Sequence, residues 1–181
     1  MDNRLCASLM DEHRVIEKVL DALECEAGRV EEGAPVDGAF FEHAIAFVRE
    51  FADGLHHQKE ERVLFPSLTE AGLPQEGGPV GVMLIEHDEG RRFVGMMHES
   101  LAGAVAGEAA ARTQLSAAAR GYVVLLRAHI QKEDTVLFPM AENVLDESAH
   151  SRVRTGFEEA EGDQPERDAT HRDWAGRLSS T

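Results

Sequence analysis

Cysteine, tyrosine, tryptophan, positive charge and long apolar runs are all scarce in this sequence. Cys6 and Cys25 are the two cysteines in 181 residues, too few for a disulfide framework. The longest purely apolar run, Tyr122-Val123-Val124-Leu125-Leu126, falls far short of the ~20 residues that a membrane span needs. Eighteen Lys and Arg stand against 34 Asp and Glu, a net charge of −16 with His neutral. Nucleic acid and anionic membrane would be repelled by that charge, so neither is expected as a partner. The opening residues, MDNRLCASLMDEHR, are charged within four positions and hold no apolar segment ahead of a cleavage site, so no signal peptide is read. The expectation is a soluble, acidic, cytoplasmic protein of one domain, or of one domain with a tail.

Glycine and proline cluster at GRVEEGAPVDG (28–38), at AGLPQEGGP (71–79) and, more weakly, at AGAVAG (102–107). Between these breaks the apolar positions recur at three and four, not two. The rows are Leu9, Ile16, Leu20, Leu23; then Phe41, Ile45, Val48, Ala52; then Val80, Leu84, Val94, Leu101; then Tyr122, Leu125 or Leu126, and Val136. Long helices joined by short connections favour antiparallel neighbours. The predicted fold is all-α, an up-down-up-down antiparallel four-helix bundle within residues 1–146. Pro66 and Pro139 are predicted to end or kink the second and fourth helices. Residues 147–181 read as a C-terminal extension: a short helix with Ser148 as a candidate N-cap, then a polar stretch that is mobile unless Trp174 and Leu178 dock it.

Histidine is what the sequence has in quantity, nine in all. HHQKEERVLFP at 56–66 and HIQKEDTVLFP at 129–139 agree at eight of eleven positions, at a constant offset of 73. Each contains His-x-x-x-Glu, His56 with Glu60 and His129 with Glu133, and residues four apart lie on one helix face. Both pairs continue apolar rows, so two carboxylates point into a core where they are costly unless paired or metal-bound. His13 lies in the core row of the first helix and His87 in that of the third. Singly, a core histidine is ordinarily just a hydrogen-bonded residue; four with two glutamates point to metal. The number of inward donors exceeds one tetrahedral zinc site and fits two metals bridged by Glu60 and Glu133. The ferritin-like arrangement needs two Glu-x-x-His pairs, whereas here Glu147 to His150 is the single one and lies outside the bundle. Residue type alone leaves iron and manganese both open.

His13-Arg14, HHQKEERVLFP, EGGPVGVMLIEHDEGRR and HIQKEDTVLFP together resemble the hemerythrin-like, or HHE cation-binding, domain over about residues 5–145. The resemblance implies two iron ions, oxo- or hydroxo-bridged, with an open position for dioxygen, peroxide or nitric oxide. Carried over position by position, His13, His56, Glu60, His87, His129 and Glu133 match metal ligands. The second histidine that oxygen-carrying members have on helix three is Arg91 here. His57 is the substitute, since some relatives place a ligand directly after the helix-two histidine; the alternative leaves His57 outside the ligand set. Glu61 and Asp134 read as surface or outer acids, with Asp134 a rival to Glu133. His98 is read as packing, and His43, His150 and His171 as solvated. The functional expectation is a protein that binds dioxygen or a related small oxidant as carrier, store or sensor. The alternatives are a redox enzyme acting on peroxide, nitric oxide or ferrous iron, and a regulatory module that signals through the C-terminal extension.

Overall fold

The computed structural model describes residues 4–178, and among them there is helix but no strand. Helix α1 spans Ala7–Glu31. The second long stretch is composite: α2 (Gly38–Phe47), π-helical segments π1 (Val48–His57) and π2 (Glu60–Leu64), then α3 (Phe65–Glu70). Helix α4 covers Pro79–Val105. The next stretch runs as α5 (Ala109–Lys132), π3 (Glu133–Leu137) and α6 (Phe138–Val144). Helices α7 (Glu147–Gly162) and α8 (Pro165–Arg177) follow, so the described part of the C-terminal extension holds two helices. The breaks are shorter than the glycine clusters suggest. Gly33 and Gly107, both at positive φ, turn the chain just after α1 and α4, where a side chain would be strained.

Neither Pro66 nor Pro139 ends its helix. Each follows a π segment, and the N–H groups of Phe65 and Phe138 reach back five residues to the carbonyls of Glu60 and Glu133. That wider register changes which carbonyl stands opposite the proline, so the missing donor falls at a junction rather than in a regular α ladder. It also re-phases the helix. Val136, expected inside, is 49% exposed, and Leu137 is buried instead.

The interior forms two apolar clusters. One contains Ile16, Leu20, Phe41, Phe47, Val94 and Leu126; the other contains Leu9, Leu64, Phe65, Met83, Leu137 and Phe138. Each of the four long stretches contributes to both, and between its two contributions each carries buried histidine or glutamate: His13, then His56 to Glu60, then His87, then His129 and Glu133. A polar layer thus crosses the bundle between two dry ones.

The extension packs onto this body. Val153 and Phe157 of α7 join the second cluster, while Ala175, Trp174 and Leu178 pack against the first. Asp146, not Ser148, caps α7, accepting from Ala149 N–H at 2.8 Å. His98 is exposed, because the buried seam late in α4 runs through Val94, Met97, Leu101 and Ala104. His171, expected in solvent, is mostly covered and meets Glu50 at 3.1 Å.

Candidate metal centre

Seven buried side chains meet in the polar layer as two adjoining groups. Donor atoms of His57, Glu60, His87 and His129 lie within 4.8 Å of one another, as do those of His13, His56 and Glu133. These are the seven sequence-derived candidates. The i, i+4 spacing sets His56 beside Glu60 and His129 beside Glu133. Adjacent His56 and His57 both turn inward from π1, where more residues per turn bring neighbouring side chains closer in angle. Glu133 spans the groups, with one oxygen 3.2 Å from His129 Nε2 and the other 3.2 Å from His13 Nε2. Glu60 Oε2 does likewise, 3.5 Å from His87 Nε2 and 3.8 Å from His56 Nε2.

The ring nitrogens are oriented from outside. His13 Nδ1 donates to Asp134 at 2.7 Å, His56 Nδ1 to Glu12 at 3.0 Å, His87 Nδ1 to Glu61 at 2.7 Å and His129 Nδ1 to Glu86 at 2.9 Å. His57 Nδ1 meets Asp53 at 3.2 Å. With Nδ1 carrying the hydrogen, each neutral ring presents an Nε2 lone pair to the interior. Those lone pairs face one another, His13 to His56 at 3.0 Å and His87 to His129 at 3.1 Å. All four carboxylate oxygens of Glu60 and Glu133 are buried without a hydrogen-bond partner. Acceptors so crowded repel unless a proton or cation lies among them, and carboxylate-backed imidazoles are how proteins fix metal ligands. The donor set fits two cations.

The electrostatics follow. Burial, reinforced by Glu133 next to it, pushes the Glu60 carboxyl well above its usual range. Burial works the same way on Glu133, but His129 and His13 override it and hold that carboxyl well below. His56 and His57 are driven low by burial and by neighbouring imidazoles. For His129, burial is outweighed by Glu133 and Glu86, which lift it to about 9; for His13, by Asp134 and Glu133. The metal-free layer therefore holds protons where it would otherwise hold metal.

A second ring of side chains completes the site. Glu12 is fully buried and takes Lys59 Nζ at 2.6 Å as well as His56; Glu86 likewise pairs with both His129 and Lys132. Asp134 joins His13 to Arg14, and Glu61 joins His87 to Arg91 at 2.6 Å. Asp134 thus stands behind a histidine, and Glu133 faces the interior. Arg91 also bonds Asp53 at 2.9 Å, so it clamps the acids behind His57 and His87. Sequence reasoning missed Glu12 and Glu86. Both precede a site histidine, as Glu-His at 12–13 and at 86–87, but the same dipeptide at 42–43 lies outside the site, so the pair alone is a weak signal.

A cavity of about 200 Å³ reaches this layer from the side of His57 and His87. Val48, Gly90, Val94, Gly95 and Tyr122 give it an apolar lining, and Asp53 and Arg91 stand on its wall. The Tyr122 hydroxyl is buried with no hydrogen-bond partner.

A family model described as the hemerythrin HHE cation binding domain matches residues 5–141. The chain is 26% identical over 153 residues to the uncharacterized protein Rv1995 of Mycobacterium tuberculosis, a match covering 84% of this chain and 59% of that protein. Protein Mb2018 of Mycobacterium bovis matches to the same extent. The iron-sulfur cluster repair protein YtfE of Pectobacterium carotovorum is 35% identical over 88 residues, 48% of this chain and 40% of that protein. This chain therefore spans well under two thirds of the length of these curated relatives. No solved structure matches it.

Proposed function

The chain belongs to the hemerythrin HHE cation-binding domain family, and we propose that it is a non-haem di-iron protein that binds dioxygen or a related small oxidant as carrier, store or sensor. The observation that carries this reading is the pair of facing imidazoles at 3.0 and 3.1 Å whose Nδ1 atoms are already committed to carboxylates. His57, Glu60, His87 and His129 would hold one iron, and His13, His56 and Glu133 the other, with Glu60 and Glu133 shared. The short connections at 32–37, 71–78 and 106–108 favour an antiparallel, up-down-up-down course for the four long stretches.

Iron bound there supplies electrons that a small oxidant can accept. The remaining work falls to the chain. The apolar clusters on either side of the layer keep water from the buried carboxylates. The cavity, about 200 Å³, has room for a small molecule at the face of His57 and His87. Tyr122 offers an uncommitted O–H to a ligand that carries a hydrogen-bond acceptor.

A second reading is a di-iron redox enzyme acting on peroxide, nitric oxide or ferrous iron; the match to a protein named for iron-sulfur cluster repair favours a role in iron chemistry other than oxygen carriage. Spectra taken while anaerobically reduced, iron-loaded protein meets oxygen separate the two. A long-lived adduct that discharges under vacuum supports binding; immediate conversion to an oxidised spectrum without an adduct supports turnover. An iron content of one or fewer per chain overturns both.

A further inference from the structure

Lys59 is fully buried, and its pseudo-equivalent Lys132, one repeat later, is 40% exposed. Both belong to the same motif, and both pair with the glutamate that backs a histidine. What differs is the C-terminal extension. Glu161, at the end of α7, reaches Lys59 Nζ at 2.8 Å, and Arg172 of α8 lies 3.5 Å from Glu12 Oε1. Lys59 also sits over the Phe157 ring, 5.4 Å from its centroid. Gly156 permits this close approach, since a Cβ there would meet Val63 Cγ1 at 2.7 Å. The helices concerned lie beyond residue 141, outside the family match.

We infer that α7 and α8 are part of the metal centre, and that Glu161 acts as a positioning residue for His56 through Lys59 and Glu12. This rests on the metal-binding reading above. Glu12 accepts from His56 Nδ1 and thereby sets both the ring's orientation and the donor strength of its Nε2. Lys59 draws on the same carboxylate at 2.6 Å. Lys59 Nζ also reaches Ser8 Oγ at 3.4 Å, but Glu161 is the carboxylate that shares its charge with Glu12; without it more of that charge falls on Glu12, which becomes a poorer acceptor, and His56 a weaker ligand. The group of His13, His56 and Glu133 is therefore tuned by the extension. In the group of His57, Glu60, His87 and His129 the backing acids are Asp53, Glu61 and Glu86, which pair with Arg91 and Lys132 and not with the extension. An event that undocks α7 would change one metal position and leave its neighbour.

The test uses the full chain, with cobalt(II) as a spectroscopic probe titrated anaerobically into metal-free protein. Glu161→Gln is expected to weaken one of two binding steps about tenfold, the scale on which outer partners of metal ligands act, and to leave the other within twofold. Gly156→Leu, which lifts α7 without altering charge, should weaken the same step. Coupling is reciprocal, so cobalt binding should slow amide exchange at the end of α7 in the natural chain and fail to do so in Glu161→Gln. Glu161 is 40% exposed, and thermal melting of the metal-free variants reports whether folding itself has changed. Two unaltered steps, or equal weakening of both, overturns the inference while the di-iron reading stands. A natural chain that binds no cobalt and no iron overturns the di-iron reading and this inference with it.

Discussion

The imidazole of His57 lies flat on that of His87, ring centroids 3.8 Å apart and planes 14° from parallel. That placement sets a second helix-two imidazole directly against the histidine of α4. The residue one turn after His87 is Arg91, and it turns outward to Asp53, Glu61 and Asp88. His57→Leu keeps the buried volume and removes one nitrogen donor. Metal content after loading is expected to fall from two ions toward one by elemental analysis, with the metal-free protein melting no lower. Retention of two ions would assign His57 to the outer ring.

Glu133 and Asp134 are adjacent and do different things. Glu133 spans both donor groups, while Asp134 bonds His13 Nδ1 and Arg14 from outside the layer. Glu133→Gln should abolish binding of the second ion. Asp134→Asn should weaken it about tenfold, because it loosens a ligand without removing one. Equal losses in calorimetric titration would contradict the division of roles.

The i, i+4 rule located both His-x-x-x-Glu pairs because the polar residues continue the apolar rows, and periodicity alone showed His13 and His87 inside. Glu12 escaped it. As His13's neighbour it lies about 100° around the helix, off the core row, and is buried because Lys59, His56 and Arg172 arrive from other helices. Val136 was misplaced for a related reason. The π register that turns Leu137 inward arises around the site, and no propensity in the strings RVLFP or TVLFP announces it. The docking of α8 hangs on a few residues, Trp174 and Ala175 among them, in an otherwise polar stretch too weakly patterned to read.

The protons held by the metal-free layer predict a pH dependence. His129, lifted to about 9 in the folded chain against 6.5 unfolded, contributes stability that is complete below 6.5 and lost as pH rises through 9. At most that is about 3.5 kcal/mol, from about 1.4 kcal/mol per unit of pKa difference. His13, also raised, and Glu60, whose carboxyl is raised by burial, shift stability in the same direction. His56 and His57, driven low, act in the opposite direction near pH 6.5, where the unfolded histidines lose their protons, and add little slope well above it. Urea denaturation of metal-free protein should show stability falling from pH 6.5 to 9. Cobalt(II) should restore it most at pH 9, where fewer protons compete for the nitrogens. A flat profile without metal would mean that the layer does not carry the protons assigned to it.

Gly90 and Tyr122 face each other across the cavity wall: a Cβ at Gly90 would meet Tyr122 Cε2 at 3.5 Å, an ordinary contact. Gly90→Ala should therefore be tolerated in α4, raising stability by up to about 1 kcal/mol through helix propensity. Gly90→Leu would project into the space beside His57 and His87. Tyr122→Phe removes a hydroxyl that has no partner, so the metal-free protein should lose no stability, because no internal hydrogen bond is lost. If the cavity is where small ligands meet the centre, azide affinity of iron-loaded protein should drop severalfold in Tyr122→Phe. It should collapse in Gly90→Leu and stay near the natural value in Gly90→Ala, with iron content unchanged in all three. Azide binding that ignores both Gly90→Leu and Tyr122→Phe would place access on the other side of the layer, where His13 stacks on Phe138 and the three-donor group leaves more of a metal's coordination unfilled.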